Sequence, residues 1–134
     1  MGSQPGDCPC GQTDARGRRL GFGACCGRYI DQEVPAPDAE RLMRSRYSAF
    51  VRDRADYLLA TWHPSTCPSG LTLDAGVKWL GLTVKRHLQI DADHAEVEFI
   101  ARSRIGGRGQ RLEERSRFVR ESGRWYYVNG EVKP

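Results

Sequence analysis

The chain has 134 residues, of which 39% are hydrophobic and 28% charged, and its formal net charge is +4. This composition fits one compact domain with a short appendage, and it excludes a disordered or fibrous protein. No apolar run approaches the ~20 residues that cross a bilayer. The first ten residues also lack the cationic and apolar regions of an export signal. We therefore expect a cytoplasmic protein without a membrane partner.

Four of the five cysteines, Cys8, Cys10, Cys25 and Cys26, lie in the first 26 residues. In a reducing compartment such a cluster binds metal more often than it forms disulfides. Four thiolates are the ligands of closed structural zinc sites, which keep no position for water or substrate. The glycine-rich segment around them has too few apolar residues to fold without such a cross-link. The pattern predicts one structural Zn²⁺, with reduced thiols or a redox pair as the alternatives.

A proline-containing connector at 34–37 is predicted to separate a zinc-binding module at 1–34 from a larger domain at 35–134. This domain begins with a helix predicted over 38–54, in which Asp38 is the cap. Its apolar stripe consists of Leu42, Met43, Tyr47 and Phe50, with Arg46 as the one charged member. A second helix is predicted over 55–62, before Pro64.

Beyond residue 77 the hydrophobic pattern alternates with the period of two that is typical of strands. Strands are predicted over 78–90, 95–104, 110–120 and 124–128. In the first of them we expect one shared inner face, made of Leu80, Leu82, Val84, Leu88 and Ile90. Two helices followed by an antiparallel meander predict an α+β domain in which the helices cover one face of the sheet.

Polar residues occur on the predicted inner face of the third strand, where Glu114 and Ser116 share the parity of Leu112 and Phe118. Because a buried unpaired charge costs several kcal/mol, we predict an ion pair between Glu114 and Arg46. The alternative is that Glu114 lies near a strand end and reaches solvent. The pair is either architectural or the polar floor of a pocket. The predicted pocket residues are Arg46, Tyr47, Trp62, His63, Phe99, Glu114, Ser116, Trp125 and Tyr127.

Several strings of this sequence resemble known families. The string CPCG…CC at 8–26 resembles the SEC-C zinc motif, which is also found at the C-terminus of the SecA translocation ATPase. The strings LMRSRYSAF (42–50), DYLLATWHPST (56–66) and ERSRFVRESGRWYYVNG (114–130) are similar to the YchJ-like family of uncharacterised bacterial proteins. The resemblance implies a SEC-C module joined to an NTF2-like cone, with Cys8, Cys10, Cys25 and Cys26 as the zinc ligands.

The sequence departs from these families at two places. Fourteen residues separate the cysteine pairs, more than a SEC-C motif usually has, so we expect a loop insertion within TDARGRRLG. Such an insertion lengthens a loop at modest entropic cost, and the metal site should tolerate it. Cys67 stands where the family resemblance implies arginine, and we expect it to be a spare loop thiol rather than a nucleophile paired with His63.

Three classes of function fit the sequence. The favoured one is a non-enzymatic binding protein, whose SEC-C module docks a protein partner and whose cone binds a small ligand or forms a homodimer. The second is an enzyme that uses Glu114, Arg46 and His63, with Tyr47 or Tyr127 as proton donor. An arginine beside Glu114 would make that carboxylate a weak base, so no residue is assigned a catalytic role.

The third class is RNA or ribosome association. Residues 102–124 carry eight arginines against Glu113, Glu114 and Glu121, a local charge of +5. A basic strip without a nucleic-acid motif is weak evidence for this function, because a solvated strand face has the same composition. Aromatic residues interleaved with the arginines, which single-strand binding favours, are missing before Trp125 and Tyr126.

Overall fold

The computed structural model describes residues 6–133. A short 3₁₀ turn at Phe22–Ala24 precedes three helices and then four strands. The helices are α1 (Gly27–Ile30), α2 (Ala39–Val51) and α3 (Ala55–Ala60), and the strands are β1 (Val77–Gln89), β2 (His94–Ile105), β3 (Arg108–Glu121) and β4 (Arg124–Val132). The strands form one antiparallel sheet in the order β1-β2-β3-β4. The predicted α+β architecture is confirmed.

Helix α2 begins as predicted, because the extended Asp38 accepts a hydrogen bond from the backbone N–H of Arg41 at 2.8 Å. It ends at Val51, three residues before the predicted boundary. Asp53 adopts a left-handed backbone with φ of 59°, which interrupts the helical path. Helix α3 then begins at Ala55 as a separate element.

Helix α3 is two residues shorter than predicted, because the chain after Ala60 leaves the helix to pair with strand β4. The N–H of Tyr127 donates to the carbonyl of Thr61 at 2.8 Å, and the N–H of His63 donates to the carbonyl of Tyr127 at 2.7 Å. These bonds make a parallel bridge between Trp62 and Tyr127. The bridge fixes Trp62 against the sheet.

The prediction that five alternating residues of β1 share the inner face is wrong. Two β-bulges, between Trp79 and Gly81 and between Val84 and Arg86, each insert one residue and reverse the alternation. Leu82 and Val84 pack against the core together with Trp79. The side chains of Leu80, Leu88 and Ile90 are exposed.

Strand β4 continues four residues beyond its predicted end. The sequence Asn129-Gly130 is typical of a turn, but here Gly130 pairs with Ser116 on the long strand β3. A glycine fits because the side chain of Glu114 lies directly over it, where a Cβ at Gly130 would lie 2.8 Å from the Glu114 carboxyl carbon.

The core lies between α2 and the inner face of the sheet, and it is continuous with the N-terminal segment. All four clustered cysteines are buried in the same apolar cluster as Leu42, Tyr47 and Val97. The division at residue 34 stays a prediction. None of the helices in residues 6–133 combines the length and the apolar character that a membrane span requires.

Candidate metal centre and adjacent cavity

The sulfur atoms of Cys8, Cys10, Cys25 and Cys26 all lie within 4.8 Å of one another, and all four residues are buried. The Sγ atoms of Cys10 and Cys25 are 3.6 Å apart. This separation excludes a disulfide, in which the sulfurs lie about 2.05 Å apart. It is close to the ~3.8 Å edge of a sulfur tetrahedron around Zn²⁺ with Zn–S bonds of about 2.3 Å. The donor set therefore fits a four-coordinate metal ion.

Short backbone turns hold the two cysteine pairs together. The N–H of Cys8 donates to the carbonyl of Leu20 at 2.9 Å, which joins the first pair to the segment before the second. Helix α1 begins directly after Cys26. Gly27 is required there, because a Cβ would lie 2.8 Å from the carbonyl oxygen of Phe22.

The four thiols share hydrogen bonds, and these bonds separate their acidities. Hydrogen bonding with Cys10 is the largest cause that lowers the pKa of Cys8. Hydrogen bonding with the same residue is the largest cause that raises the pKa of Cys26. A bound cation would favour full deprotonation, since thiolates are its ligands.

Helix α2 supplies two side chains that contact the cysteine cluster and that the sequence analysis missed. The hydroxyl of Ser48 lies 3.6 Å from the sulfur of Cys8. Arg44 donates from Nη1 to the carbonyl of Cys10 at 3.1 Å and pairs with Glu40. Arg44 and Ser48 are four residues apart, on a different stripe of α2 from Arg46. Their spacing of four residues places them on one face of the helix, and this pattern was the sequence signal that could have identified them.

The fourteen residues between the cysteine pairs form an ordered projection. Asp14 accepts hydrogen bonds from the backbone N–H groups of Arg16 and Arg18, at 2.8 and 3.0 Å. A backbone bridge between Thr13 and Arg19 closes its base. Residues 13–19 are all exposed. The segment in which we expect the insertion is thus a folded loop that carries its arginines into solvent, and the insertion itself stays a prediction.

A cavity of about 310 Å³ lies between α2 and the inner face of the sheet. Seven of the nine predicted pocket residues line it: Arg46, Tyr47, Trp62, Phe99, Glu114, Ser116 and Tyr127. The remaining lining residues are Met43, Phe50, Trp79, Ala101, Leu112 and Phe118. Trp79 was missed because the bulge after it places it on the inner face, against the parity of the strand.

Arg46 is the one buried cation of the cavity, with 6% of its surface exposed. Its Nη1 donates to the carbonyl of Leu58 and the hydroxyl of Thr61, each at 2.7 Å. The guanidinium carbon lies 4.6 Å from the ring centroid of Tyr127 and 5.3 Å from that of Trp62. Burial lowers the pKa of Arg46 to about 10, so the group remains charged at neutral pH.

The predicted ion pair between Arg46 and Glu114 does not form in the described structure. Glu114 instead accepts a hydrogen bond from the hydroxyl of Ser116 at 2.5 Å and lies over Gly130. Arg46 stacks on Tyr127, which pairs with Phe118 of β3. Glu114 lies four residues from Phe118 along the same strand, which corresponds to roughly 13 Å. The backbone carbonyl of Leu58, the hydroxyl of Thr61 and two aromatic rings contact Arg46 where a carboxylate was expected.

Two predicted pocket residues lie outside the cavity. The ring of His63 hydrogen-bonds Ser65 at 2.7 Å and Glu121 at 2.9 Å, and it contacts Tyr126 at the sheet edge. The backbone pairing of Thr61 and His63 with Tyr127 directs this side chain away from α2. Trp125 is buried, but it lines a separate groove of about 380 Å³ with Tyr29 and Ile30 of α1.

Cys67 is half-buried, and its thiol lies 3.4 Å from the carbonyl oxygen of Pro68 and 3.9 Å from that of Leu59. The nearby His63 ring is engaged by Ser65 and Glu121 instead. The described contacts of Cys67 therefore include no base, and its role as a spare loop thiol stays a prediction.

Three arginines of strand β3 have acidic partners close by. Arg115 and Arg117 both contact Glu131, at 2.9 and 2.6 Å, and both approach Glu96 at 3.9 Å. Arg120 pairs with Asp93 at 3.2 Å. The local excess of positive charge in 102–124 is thus partly offset by carboxylates from neighbouring strands and turns.

A sheet half-covered by helices, a cavity between the two layers and an N-terminal four-cysteine cluster define an NTF2-like domain joined to a SEC-C motif. The family model for the YchJ middle NTF2-like domain matches residues 38–130. The chain belongs to this YchJ-like family.

Proteins similar to this chain match it over nearly all of its length. A UPF0225 protein of a Polaromonas species is 62% identical over 129 residues, which cover 94% of this chain and 93% of that protein. One from Bordetella pertussis is 54% identical over 134 residues, which cover 98% of this chain and 96% of that protein.

Two solved structures are similar to this fold. The solution structure of a SEC-C motif containing protein from Rhodopseudomonas palustris has a TM-score of 0.80 at 32% identity and covers 96% of this chain and 99% of that one. The crystal structure of a SEC-C motif containing protein from Psychrobacter arcticus has a TM-score of 0.78 at 30% identity and covers 96% and 83%.

Proposed function

We propose that this protein is a zinc-binding accessory protein without catalytic activity, whose four-thiolate site is structural. The observation that carries the proposal is the cluster of four buried sulfurs within 4.8 Å of one another. Four protein ligands complete the tetrahedron of Zn²⁺ and leave no position for a reacting water. The ion would then hold the N-terminal segment against α2, through Ser48 and Arg44.

Metal analysis of the purified full-length chain tests the zinc assignment. We expect close to one Zn²⁺ per chain, and a Co²⁺-loaded sample should show the intense visible bands of a tetrahedral thiolate site. Cys25→Ser should lose the metal and these bands. Cys67→Ser is the matched control, since this thiol is distant in sequence from the cluster, and it should keep both. A metal-free chain, or equal metal in the two variants, would contradict the proposal.

The proposed partner of the N-terminal module is a protein with an acidic surface. Support comes from the ordered loop at 13–19, which exposes Arg16, Arg18 and Arg19 next to the metal cluster. Arginine at an exposed, preformed loop suits recognition of carboxylates. Residues 13–19 contain none of the four clustered cysteines, so their side chains can be substituted without removing a metal ligand.

The full-length chain and a variant with Arg16, Arg18 and Arg19 changed to serine form the matched pair for this test. Both are immobilised and exposed to the same bacterial extract, and each captured protein is then purified and titrated against both. A partner that binds the wild type at least about tenfold more tightly than the variant supports docking. If every captured protein binds the two equally, the docking proposal is wrong.

We do not propose the enzyme alternative, because its predicted residue His63 lies outside the cavity. RNA or ribosome association stays a prediction, as does a homodimer. Retention on an RNA column across a salt series tests the former, since phosphate neutralisation by arginines gives a steep salt dependence. Sedimentation of the purified chain tests the latter.

A further inference from the structure

The cavity between α2 and the sheet combines an apolar wall with two separate charges. Aromatic side chains from both layers form most of the wall, among them Tyr47, Phe50, Trp79 and Phe99. Its volume of about 310 Å³ is at the lower end of the range of small-molecule sites. A flat aromatic molecule of about ten to fifteen non-hydrogen atoms is the kind of ligand that such a space accommodates.

Arg46 brings a cation to this cavity, and in the described structure no carboxylate contacts it directly. Both of its described hydrogen bonds use Nη1, so Nη2 and Nε have no hydrogen-bond partner among residues 6–133. That edge of a guanidinium is planar and matches a carboxylate in a bidentate geometry. Glu114 acts on this charge across the cavity without forming an ion pair, so an anionic ligand group in direct contact with the guanidinium would compensate it more fully.

Glu114 brings an acceptor to a different part of the same cavity. It receives one hydrogen bond, from Ser116, and a carboxylate accepts several. A second anionic group on a ligand would be repelled there, whereas a hydroxyl would donate to it. The indole N–H of Trp62, on the same wall, is buried without a hydrogen-bond partner in the described structure.

We propose that the cavity binds a small hydroxyaryl carboxylate, with its carboxylate against Arg46 and its hydroxyl donating to Glu114. The aryl ring lies between the aromatic residues of α2 and those of the sheet. This site is separate from the cysteine cluster, so the inference does not depend on which metal the cysteines hold. It also does not depend on whether the module docks a protein.

The test uses the metal-loaded full-length chain labelled with ¹⁵N and three probes of matched size. The first is 4-hydroxyphenylacetate, which has both groups; 4-hydroxyphenylacetamide lacks the charge, and phenylacetate lacks the hydroxyl. We expect saturable shifts of the indole N–H signals of Trp62 and Trp79 with the first probe. Each of the other two should bind about tenfold more weakly, because each loses one hydrogen bond to a charged group.

Glu114→Gln is the variant that tests the orientation, and Glu131→Gln on the outer face is its control. Glu114→Gln should reduce the tenfold preference for the hydroxylated probe to less than about threefold, while Glu131→Gln should leave it unchanged. Arg46→Lys keeps the charge but loses the planar two-nitrogen edge, so it should reduce the preference for the acid over the amide to less than about threefold without abolishing it. Equal binding of acid and amide, shifts confined to residues outside the cavity, or no saturation at millimolar probe would overturn the proposal.

Discussion

The hydroxyl of Ser48, in the middle of helix α2, lies 3.6 Å from the sulfur of Cys8 in the N-terminal segment. A side chain of the cone thereby contacts a residue of the cysteine cluster directly. Groups that hydrogen-bond metal ligands fix the ligands' orientation and their basicity. The cysteine cluster and the cone are joined through this contact, although forty residues separate the two side chains.

Ser48→Ala should weaken zinc binding while it leaves all four cysteines in place. Loss of a second-sphere hydrogen bond typically lowers metal affinity by about 10–100-fold. Competition with a chromophoric chelator measures the effect. Ser45→Ala is the matched control on the same helix, since Ser45 is equally buried but bonds Leu42 and Tyr57 instead. If both variants change the affinity alike, the Cys8 contact is not the cause.

Removal of the metal should destabilise the cone without unfolding it. The cysteines share one buried cluster with Leu42 and Ala49, and Arg44 bonds the carbonyl of Cys10. We expect chelation to lower Tm by roughly 5–10 °C, which corresponds to about 2 kcal/mol for a domain of this size. Calorimetry with and without chelator measures the shift. Cys67→Ser should show the same shift as the wild type, and an unchanged wild-type Tm would contradict the coupling.

The buried phenol of Tyr57 should make stability depend on alkaline pH. Burial raises the pKa of Tyr57 to about 12, and its hydroxyl lies 2.7 Å from that of Ser45. In the unfolded chain the phenol ionises near pH 10, so its contribution is complete below pH 10 and is lost as pH rises toward 12.

Unfolding of the wild type and Tyr57→Phe by guanidinium chloride at pH 7 and pH 11 measures this dependence. At pH 7 the variant should be less stable by about 1 kcal/mol, the usual contribution of one hydrogen bond. At pH 11 the difference should shrink or reverse, because the wild type alone then holds this phenol neutral. Tyr47→Phe should behave likewise, since burial raises the pKa of Tyr47 to about 12. A constant difference would refute the assignment.

Gly130→Ala should displace the carboxylate of Glu114 from its place over strand β4. The added Cβ would lie 2.8 Å from the Glu114 carboxyl carbon, and a flexible side chain can move away. Global stability should change by less than about 1 kcal/mol. The ¹³C shift of the Glu114 carboxyl group, in turn, should change as the hydrogen bond from Ser116 is lost. Gly109→Ala, a strand glycine with open space around it, should leave that shift unaltered.

The amphipathic helix and strands could be predicted, because each buries one face and its hydrophobic residues therefore recur with the period of that element. The stripe of α2 and the alternation in β2 and β3 are regular, and their residues line the core and the cavity. The cysteine cluster was equally predictable, because its chemistry depends on residue type and spacing. The predicted helix cap at Asp38 is confirmed for the same local reason.

The errors lie where long-range contacts override local pattern. The bulges of β1 reverse the parity that placed Leu80 inward. The pairing of Thr61 and His63 with Tyr127 turns the histidine away from the cavity. Arg46 contacts a carbonyl, a hydroxyl and aromatic rings instead of Glu114. The spacing of Arg46 and Glu114 along the chain does not indicate which of these partners Arg46 contacts.

The bridge between Trp62 and Tyr127 also affects how copies of this protein meet. An unpaired strand at the border of a sheet invites addition of a strand from another molecule. Here the segment after α3 occupies part of the border at β4, and the opposite border at β1 is twice kinked by its bulges. The two edges of the described sheet are therefore poorly suited to pairing with a strand of a second molecule.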